Sequence, residues 1–486
     1  MDNRFSAPDD LTPSDGNSFP ADGSLEQADL PAYDDPSDAE LRLDSDGYQV
    51  RADADEPQED APDAEPDDGQ HVFYTNAADI GRMPAKQRST GRKVGRGFAI
   101  AGKIIVAVAL ALAILVGGLL GYLTVTEYNP AYAEVAEPGT VSATQKLATN
   151  DIKLLTFNTG YGGLGEDADF FMDGGSSVNP QSKSVVTDNM IGIEGILREA
   201  DADFVMLQEV DDDSARSFDM DQWRQYEHDL EQYETRFALN YSCDYVPYPL
   251  TEPIGKVHSG IATYSKYDIS VATRYSLPCP FSWPTRTANL KRCLLVTRIP
   301  LENDEEHELV LINFHLEAYD DGEGKAEQTE QLLKLMQEEY AKGNYVIAGG
   351  DFNQTFADTR DVYPIKSTTE WVPGSLGELP TGWSYAYDPV TPTCRLLNQP
   401  FHAGSSKTQY YVIDGYILSP NVRLNDVQTL DEGFVYSDHN PVLLSVSLLP
   451  FNDDDANGEN TEDAENTEHS ENTDESAAEP TASDEP

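Results

Sequence analysis

Between Ile104 and Leu123 lie twenty residues without a single charge, rich in Ala, Leu, Ile and Val. As an α-helix that run is about long enough to cross the hydrocarbon core of a bilayer. Seven basic residues stand on its N-terminal side alone: Arg82, Lys86, Arg88, Arg92, Lys93, Arg96 and Lys103. A core helix of a soluble protein seldom has such one-sided flanks, so 104-123 is read as a transmembrane helix. Positive charge stays on the cytoplasmic side of a span, which places the N-terminus in the cytoplasm and everything after Tyr122 outside. A cleavable signal peptide is the alternative, because Ala131-Tyr132-Ala133 has the small-x-small form of a cleavage site. Its leading region would extend all the way to Lys103, far longer than such peptides carry, so a retained single-pass anchor in the cell membrane is expected.

The charge of the chain is uneven around this span. Its formal total is −55 over 486 residues. Residues 1–70 hold 22 acidic side chains against three basic ones, interspersed with Pro, Ser and Gly. Such a segment buries too little apolar surface to offset the entropy of ordering. Residues 1-81 are therefore expected to be an acidic disordered cytoplasmic tail, and 82-103 a basic juxtamembrane segment. Residues 452-486 hold 14 acidic side chains and no Lys or Arg, and are expected to form a second disordered tail. The Glu-Asn-Thr recurrences there are low complexity, not a structural repeat. Residues 124-150 read as a polar linker.

From 151 to 451 the chain changes character and is long enough for one large domain. Strand-like apolar runs stand at Ile152–Phe157, Phe204–Leu207, Gly260–Tyr264, Leu309–Phe314, Tyr345–Ala348, Tyr411–Leu418 and Val442–Leu448. Helical spacing joins Val185, Val186, Ile193, Ile196 and Leu197, and again Leu332, Leu333, Leu335, Met336 and Tyr340, with Gly343 as a stop. Strands outnumber helices and turn residues fill most connections. The expectation is an α/β chain of two packed sheets flanked by helices, not a doubly wound parallel sheet. Cys243, Cys279, Cys293 and Cys394 lack the paired spacing of a zinc site. In an oxidising compartment they permit disulfides, Cys279 with Cys293 being one of the open pairings; buried free thiols are the alternative.

Polar residues recur where these apolar runs stop. Asn158 ends the first, Glu209 follows the second, and His315 ends Leu-Val-Leu-Ile-Asn-Phe-His. Asp351 and Asn353 close Ala348-Gly349-Gly350-Asp351-Phe352-Asn353; two apart on extended backbone, they point to one side. Asp414 lies in Tyr-Val-Ile-Asp-Gly-Tyr-Ile-Leu, and Asp438-His439 precede the final strand. Any one of these is an ordinary cap or turn residue. Together they supply oxygen ligands for a hard divalent cation, a histidine–carboxylate pair for acid–base work near neutral pH, and donors for phosphoryl oxygens. That is the inventory for metal-assisted hydrolysis of a phosphate ester.

The ordered set Asn158, Glu209, His315, Gly350-Asp351-Phe352-Asn353, Ile413-Asp414 and Ser437-Asp438-His439 resembles the endonuclease/exonuclease/phosphatase superfamily, over about Ile152 to Leu449. That superfamily includes DNase I-like nucleases, neutral sphingomyelinases and inositol polyphosphate 5-phosphatases. The resemblance implies a four-layer α/β sandwich with the active site at one edge of two central, mostly antiparallel sheets. It implies that Glu209 is the principal ligand of Mg²⁺ (Mn²⁺ or Ca²⁺ being possible substitutes), with Asn158 beside it and Asp438 close by. His439 would be the general base or electrostatic partner at the phosphate, oriented by Asp414. Asp351 would position or deprotonate the attacking water, Asn353 would hold a phosphoryl oxygen, and His315 would stabilise the transition state. Gly160 departs from the pattern, standing where some members carry a second carboxylate. Lys256 and His258 stand where many members have Asn-Gly, and these two, with Arg292, are candidate substrate-binding residues; a solvated turn is the alternative for Lys256 and His258. The loop Phe170-Phe171-Met172-Asp173-Gly174-Gly175 reads as a substrate lid or a packed surface loop.

Residues 151–451 carry a net charge of −26. Non-specific nucleic-acid binding relies on a basic face, so the charge weighs against a processive nuclease. The expected activity is an extracytoplasmic phosphoesterase on a mono- or diester, acting as a monomer. A non-catalytic surface module on the same fold is the competing reading.

Overall fold

Leu154 and Leu155 are neighbours in sequence but pack in different cores. The same split separates Met206 from Val205 and Leu207, Leu311 from Val310 and Ile312, and Ile347 from Val346 and Ala348. Strand side chains alternate faces, so a strand buried on both faces has to be apolar throughout. This is why the central strands read as unbroken apolar runs.

The computed structural model describes residues 91–450 apart from 141, 142, 144 and 321. The expected acidic tails, 1-81 and 452-486, and the juxtamembrane residues before 91 lie outside the described residues. In chain order the strands of the two large sheets are β1 (Ala133–Val135), β2 (Glu137–Pro138), β3 (Asp151–Asn158), β4 (Phe204–Asp211), β5 (Glu234–Val246), β6 (Gly255–Ser265) and β7 (Val271–Ser276). They continue with β8 (Cys293–Pro300), β9 (Glu308–His315), β10 (Tyr345–Asp351), β11 (Ser384–Ala386), β12 (Asp414–Leu418), β13 (Val422–Thr429) and β14 (Val442–Leu448). The principal helices are α1 (Gly91–Val125), α2 (Lys183–Ala200), α3 (Gln222–Asp229) and α4 (Glu323–Tyr340).

One seven-stranded sheet has the order β1-β7-β8-β9-β10-β12-β11, the other β13-β14-β3-β4-β6-β5-β2. Within each, one neighbouring pair is parallel: β9 with β10, and β3 with β4. A parallel pair needs a crossover, and each crossover is a helix, α4 in the first sheet and α2 in the second. Ile152, Met206, Leu295, Leu311, Ile347 and Leu444 fill the space between the sheets. Val186, Met190, Ile193 and Leu197 of α2, with Trp223 and Tyr226 of α3, cover the outside of one sheet. Leu332 and Met336 of α4 cover the outside of the other. The expected four-layer α/β sandwich with mostly antiparallel sheets is what the chain forms.

One expectation is corrected. The stretch read as a linker, 124-150, is not a tether: β1 pairs with β7 and β2 with β5, so it adds an edge strand to each sheet. Its end is also packed, with Leu147 in the core between the sheets. Of the two readings open for the cysteines, free thiols are what the structure shows. All four are free thiols, three of them buried.

Helix α1 is longer than its uncharged part, and Phe98–Val125 is long and apolar enough to cross a membrane. Ile105, Leu112 and Ile114 are exposed, so this is not the core helix of a soluble domain. Its last turns touch the sandwich, where buried Leu123 packs with Tyr241, Cys243, Val246 and Val257.

Candidate active site

The C-terminal ends of the two parallel strand pairs meet at one edge of the sandwich. In an α/β sheet with parallel strands, loops leaving those ends create the crevice in which ligands bind. Register sets the first contacts: Asp351, last in β10, lies opposite His315, last in β9, and opposite Asp414, first in antiparallel β12. Asn158, last in β3, lies opposite Gln208 of β4.

Glycines allow the close approach. A Cβ on Gly350 would come within 1.9 Å of the Phe314 carbonyl oxygen, and one on Gly349 within 2.6 Å of the Tyr416 ring. Both Gly349-Gly350 positions are therefore closed to any larger residue. Glu209 is turned into the site by a different device. The pairing of β4 with β6 slips between Leu207 and Val210, and Glu209 sits in this bulge with φ of 54°. A bulge re-aims a side chain, and a non-glycine residue at positive φ is held there by its surroundings. Asn353 is likewise left-handed, with φ of 51°.

The polar groups form one connected cluster. Asn158 Nδ2 donates to Glu209 Oε1 at 3.2 Å and to Asp351 Oδ2 at 3.1 Å. His315 Nε2 is 3.5 Å from Asp351 Oδ2 and 4.0 Å from Glu209 Oε1. His439 Nδ1 is 2.8 Å from Asp414 Oδ2, so the proton on that nitrogen is fixed by a carboxylate. Its Nε2 faces Asp351 Oδ2 at 3.8 Å and Asp438 Oδ2 at 3.9 Å. Ser437 ties the turn, its hydroxyl donating to the Asn158 carbonyl and accepting from the His439 N–H. The Asn353 N–H donates to Asp351 Oδ1 at 2.8 Å, and its Nδ2 donates to the Leu316 carbonyl.

Burial decides the electrostatics. The Asp351 carboxyl is pushed up to about 7 by desolvation and by the Asp414 charge. Desolvation also pushes Asp438 up to about 7, with His439 and Arg395 opposing. Burial works against a charged His439, yet Asp414 and Asp438 hold it well above the ordinary imidazole range. His315, buried near Arg292 and His439, is held well below that range. One imidazole is thus cationic and the other neutral near pH 7.

A hard divalent cation fits this donor set. Several carboxylate oxygens converge, and two of the carboxyls are pushed toward protonation by burial, a cost that a bound cation would offset. Asp438 fills the space at Gly160, where a Cβ would lie 2.9 Å from Asp438 Oδ1, so a carboxylate is present there from another part of the chain. Other grouped donors are Asp351, Asp414 and His439, and Cys394, Asp438 and His439. Asn158 presents its Nδ2 to the carboxylates while its Oδ1 accepts from the Gly160 N–H. Coordination through its oxygen requires the amide to turn over.

The cluster floors a cleft of about 610 Å³. Arg292 lines it but is buried, donating to Glu317 and to the His315 carbonyl. Lys256 and His258 are not among the lining residues: Lys256 pairs with Asp213, and His258 with Asp212. Two groups that the sequence reading did not single out are also in the wall. Tyr319 donates to Asp173 Oδ1 at 3.0 Å, and burial pushes the Asp173 carboxyl up to about 6. Asp173 belongs to a loop noted above, but nothing in the sequence pairs it with Tyr319 across 146 positions.

Comparison with known proteins agrees with the geometry. No curated protein matches the chain. Among 116 matching chains of solved structures, one is an endonuclease/exonuclease/phosphatase from Beutenbergia cavernae, with 18% identity and a TM-score of 0.42, covering 62% of this chain and 72% of that one. Another is a humanized D. rerio TDP2, with 15% identity and a TM-score of 0.40, covering 62% and 100%. The human Nocturnin catalytic domain with bound sulfate is similar at 15% identity and a TM-score of 0.40, covering 62% and 95%. The model of the Endonuclease/Exonuclease/phosphatase family matches residues 155–439, more than half of the sequence and every polar strand end described above, and to that family the chain belongs.

Proposed function

We propose that the protein is a membrane-anchored, Mg²⁺-dependent phosphoesterase that hydrolyses a phosphate mono- or diester outside the cytoplasm. The observation that carries the reading is the facing pair: His439, held by Asp414, points its other nitrogen at Asp351 and at the Asn158 amide, beside Glu209. In this reading Asp351 takes a proton from water. The water oxygen bonds to phosphorus, one P–O ester bond breaks, and the departing oxygen takes a proton from bulk water to leave as an alcohol, while Asp351 returns its proton to bulk water. His439, as imidazolium, donates to a phosphoryl oxygen as charge develops, and neutral His315 and Asn353 donate to others. Glu209, Asp438 and, after turning its amide, Asn158 are the residues that would hold Mg²⁺. When bound, that ion would supply positive charge to the phosphoryl group and lower the pKa of a nearby water. Arg292 acts indirectly, by holding the His315 backbone and Glu317.

The anchor reading is supported by the exposed apolar residues of α1 and by the seven basic residues on the N-terminal side of its uncharged part, which favour a cytoplasmic N-terminus. The test is hydrolysis of bis(p-nitrophenyl) phosphate and p-nitrophenyl phosphate by the full chain, with Mg²⁺ and with EDTA. Turnover that needs the metal is the expected result. Binding of phosphate esters without turnover would instead favour a non-catalytic module.

A further inference from the structure

Resting on that phosphoesterase reading, we infer that the substrate is a phosphate-bearing lipid of the bilayer in which α1 is seated. The cleft has two chemically different ends. Its floor is the cluster of Glu209, Asp351, Asp438 and His439; its far wall is apolar, with Val246, Ile254, Phe281 and Leu290. That wall is completed by Leu120 and Leu123, which belong to the last turns of the apolar span itself. A cleft lined by the end of a membrane helix opens where that helix leaves the bilayer. The site therefore lies at the head-group plane.

The helix end is fastened in this place. Leu123 is buried against the sandwich, Tyr122 donates to Asp244 Oδ2 at 2.7 Å, and Glu127 pairs with Lys291 at 3.0 Å. Tyr248 lines the cleft and is 58% exposed, Leu250 two residues further on is 86% exposed, and Trp283, which donates its indole N–H to Thr124 of α1, is 54% exposed. Trp and Tyr with one wet edge settle at the membrane–water boundary, and an exposed leucine beside them adds apolar surface to it. A phospholipid fits such a cleft in one direction, with its phosphate on the acidic floor and its acyl chains along the Leu120 wall. A nucleic acid fits poorly. Arg216 and Arg292, the two arginines lining the cleft, are paired with Asp211 and Glu317, which leaves neither to track a polyanionic backbone.

Hydrolysis consumes one water and breaks one P–O bond. It yields a lipid alcohol and a phosphorylated head group, or a lipid phosphate and a free head-group alcohol, according to which ester oxygen departs. The experiment uses the full chain in vesicles of phosphatidylcholine and phosphatidylglycerol with Mg²⁺, measuring all four product classes. Bis(p-nitrophenyl) phosphate and a single-stranded oligonucleotide are assayed in parallel. Lipid turnover is expected, and Leu250→Asp, at an exposed residue outside the cleft, should lower it about tenfold or more, the equivalent of about 1.4 kcal/mol. The same variant should keep the wild-type Tm and wild-type turnover of the nitrophenyl ester. Hydrolysis of the nitrophenyl ester or the oligonucleotide with intact lipid would overturn the inference while leaving the phosphoesterase reading standing. Equal lipid turnover by Leu250→Asp would remove the interfacial part of the argument and overturn it too. If no substrate is cleaved, the phosphoesterase reading itself fails, and this inference with it.

Discussion

The two strand–helix–strand units deliver different chemistry to the same cleft. Unit β3-α2-β4 ends in Asn158 and Glu209, and Glu209 is partly exposed, with 24% of its side chain accessible. Unit β9-α4-β10 ends in His315 and Asp351, both buried and both shifted in opposite directions by desolvation. Architecture alike, environment unlike: an open carboxylate beside an amide suits a hydrated cation, and a buried carboxylate beside imidazoles suits proton transfer. The comparison says that one half of the site should be sensitive to metal and the other to pH.

The largest effect should fall on the metal half. Glu209→Gln keeps the shape of the side chain and removes its charge. We expect kcat to drop by roughly two or more orders of magnitude, with the Mg²⁺ dependence shifted to higher concentration. Mg²⁺ titrations of wild type and variant measure both. Activity that survives this change and EDTA together would erase the proposed division between the halves.

His439→Ala and Asp414→Asn probe the other half. Each should lower kcat, by about a hundredfold for His439→Ala, and the double variant should cost much less than the product of the two. The physical reason is the 2.8 Å contact, through which Asp414 holds His439 in place. Losses that multiply would show that the two do not act as a unit. If His439 merely satisfied its turn, Tm would fall by the equivalent of about 1 kcal/mol and kcat would hold.

Much of this site was legible because burial leaves marks in sequence. Strands covered on both faces are apolar throughout, so a polar residue at the end of one stands out; Asn158, His315 and Asp351 were found this way. Edge strands leave no such mark. β13, with Arg423, Asn425 and Asp426 exposed, reads as a loop, and β5 carries polar residues among its apolar ones. Likewise, positive charge in sequence does not reveal its partner. Lys256 and His258 looked available for a phosphate, yet Asp213 and Asp212 lie beside them on the neighbouring strand's exit. Nor could the apolar run reveal that its last turns line a cleft, because an exposed leucine and a leucine lining a cleft are the same letter.

A milder prediction concerns pH in the proton-transfer half. Asp351 must be ionised to accept a proton, and burial with Asp414 pushes it up to about 7. Activity should therefore fall on the acid side of about pH 7, approaching tenfold per pH unit well below it. Because a cation favours the ionised carboxyl, raising Mg²⁺ should move this limb to lower pH. Profiles of kcat/KM at two Mg²⁺ concentrations test it, and a limb that does not move would separate Asp351 from the metal half altogether.

The smallest effect sharpens the comparison from outside the two units. Asp173, on the loop over the cleft, is buried, and desolvation pushes its carboxyl from 3.8 to about 6. The sign follows from linkage. The folded protein binds this proton more tightly than the unfolded chain, so the contribution to stability is complete below about pH 4 and is lost as pH rises through 6. Two pKa units correspond to about 3 kcal/mol. Asp173→Asn removes the ionisation but keeps an amide oxygen for the Tyr319 hydroxyl. It also gives up the weak acceptor for the Leu397 N–H, a cost independent of pH. The difference in unfolding free energy, variant minus wild type, should therefore rise by about 1–3 kcal/mol between pH 4 and pH 7 and level off above. Urea unfolding with EDTA present at several pH values gives this difference, and titrations common to both proteins cancel. A difference that stays flat would mean the carboxylate is solvated in the folded state. The loop would then be open over the cleft, and Tyr319 would not be closing that wall through Asp173.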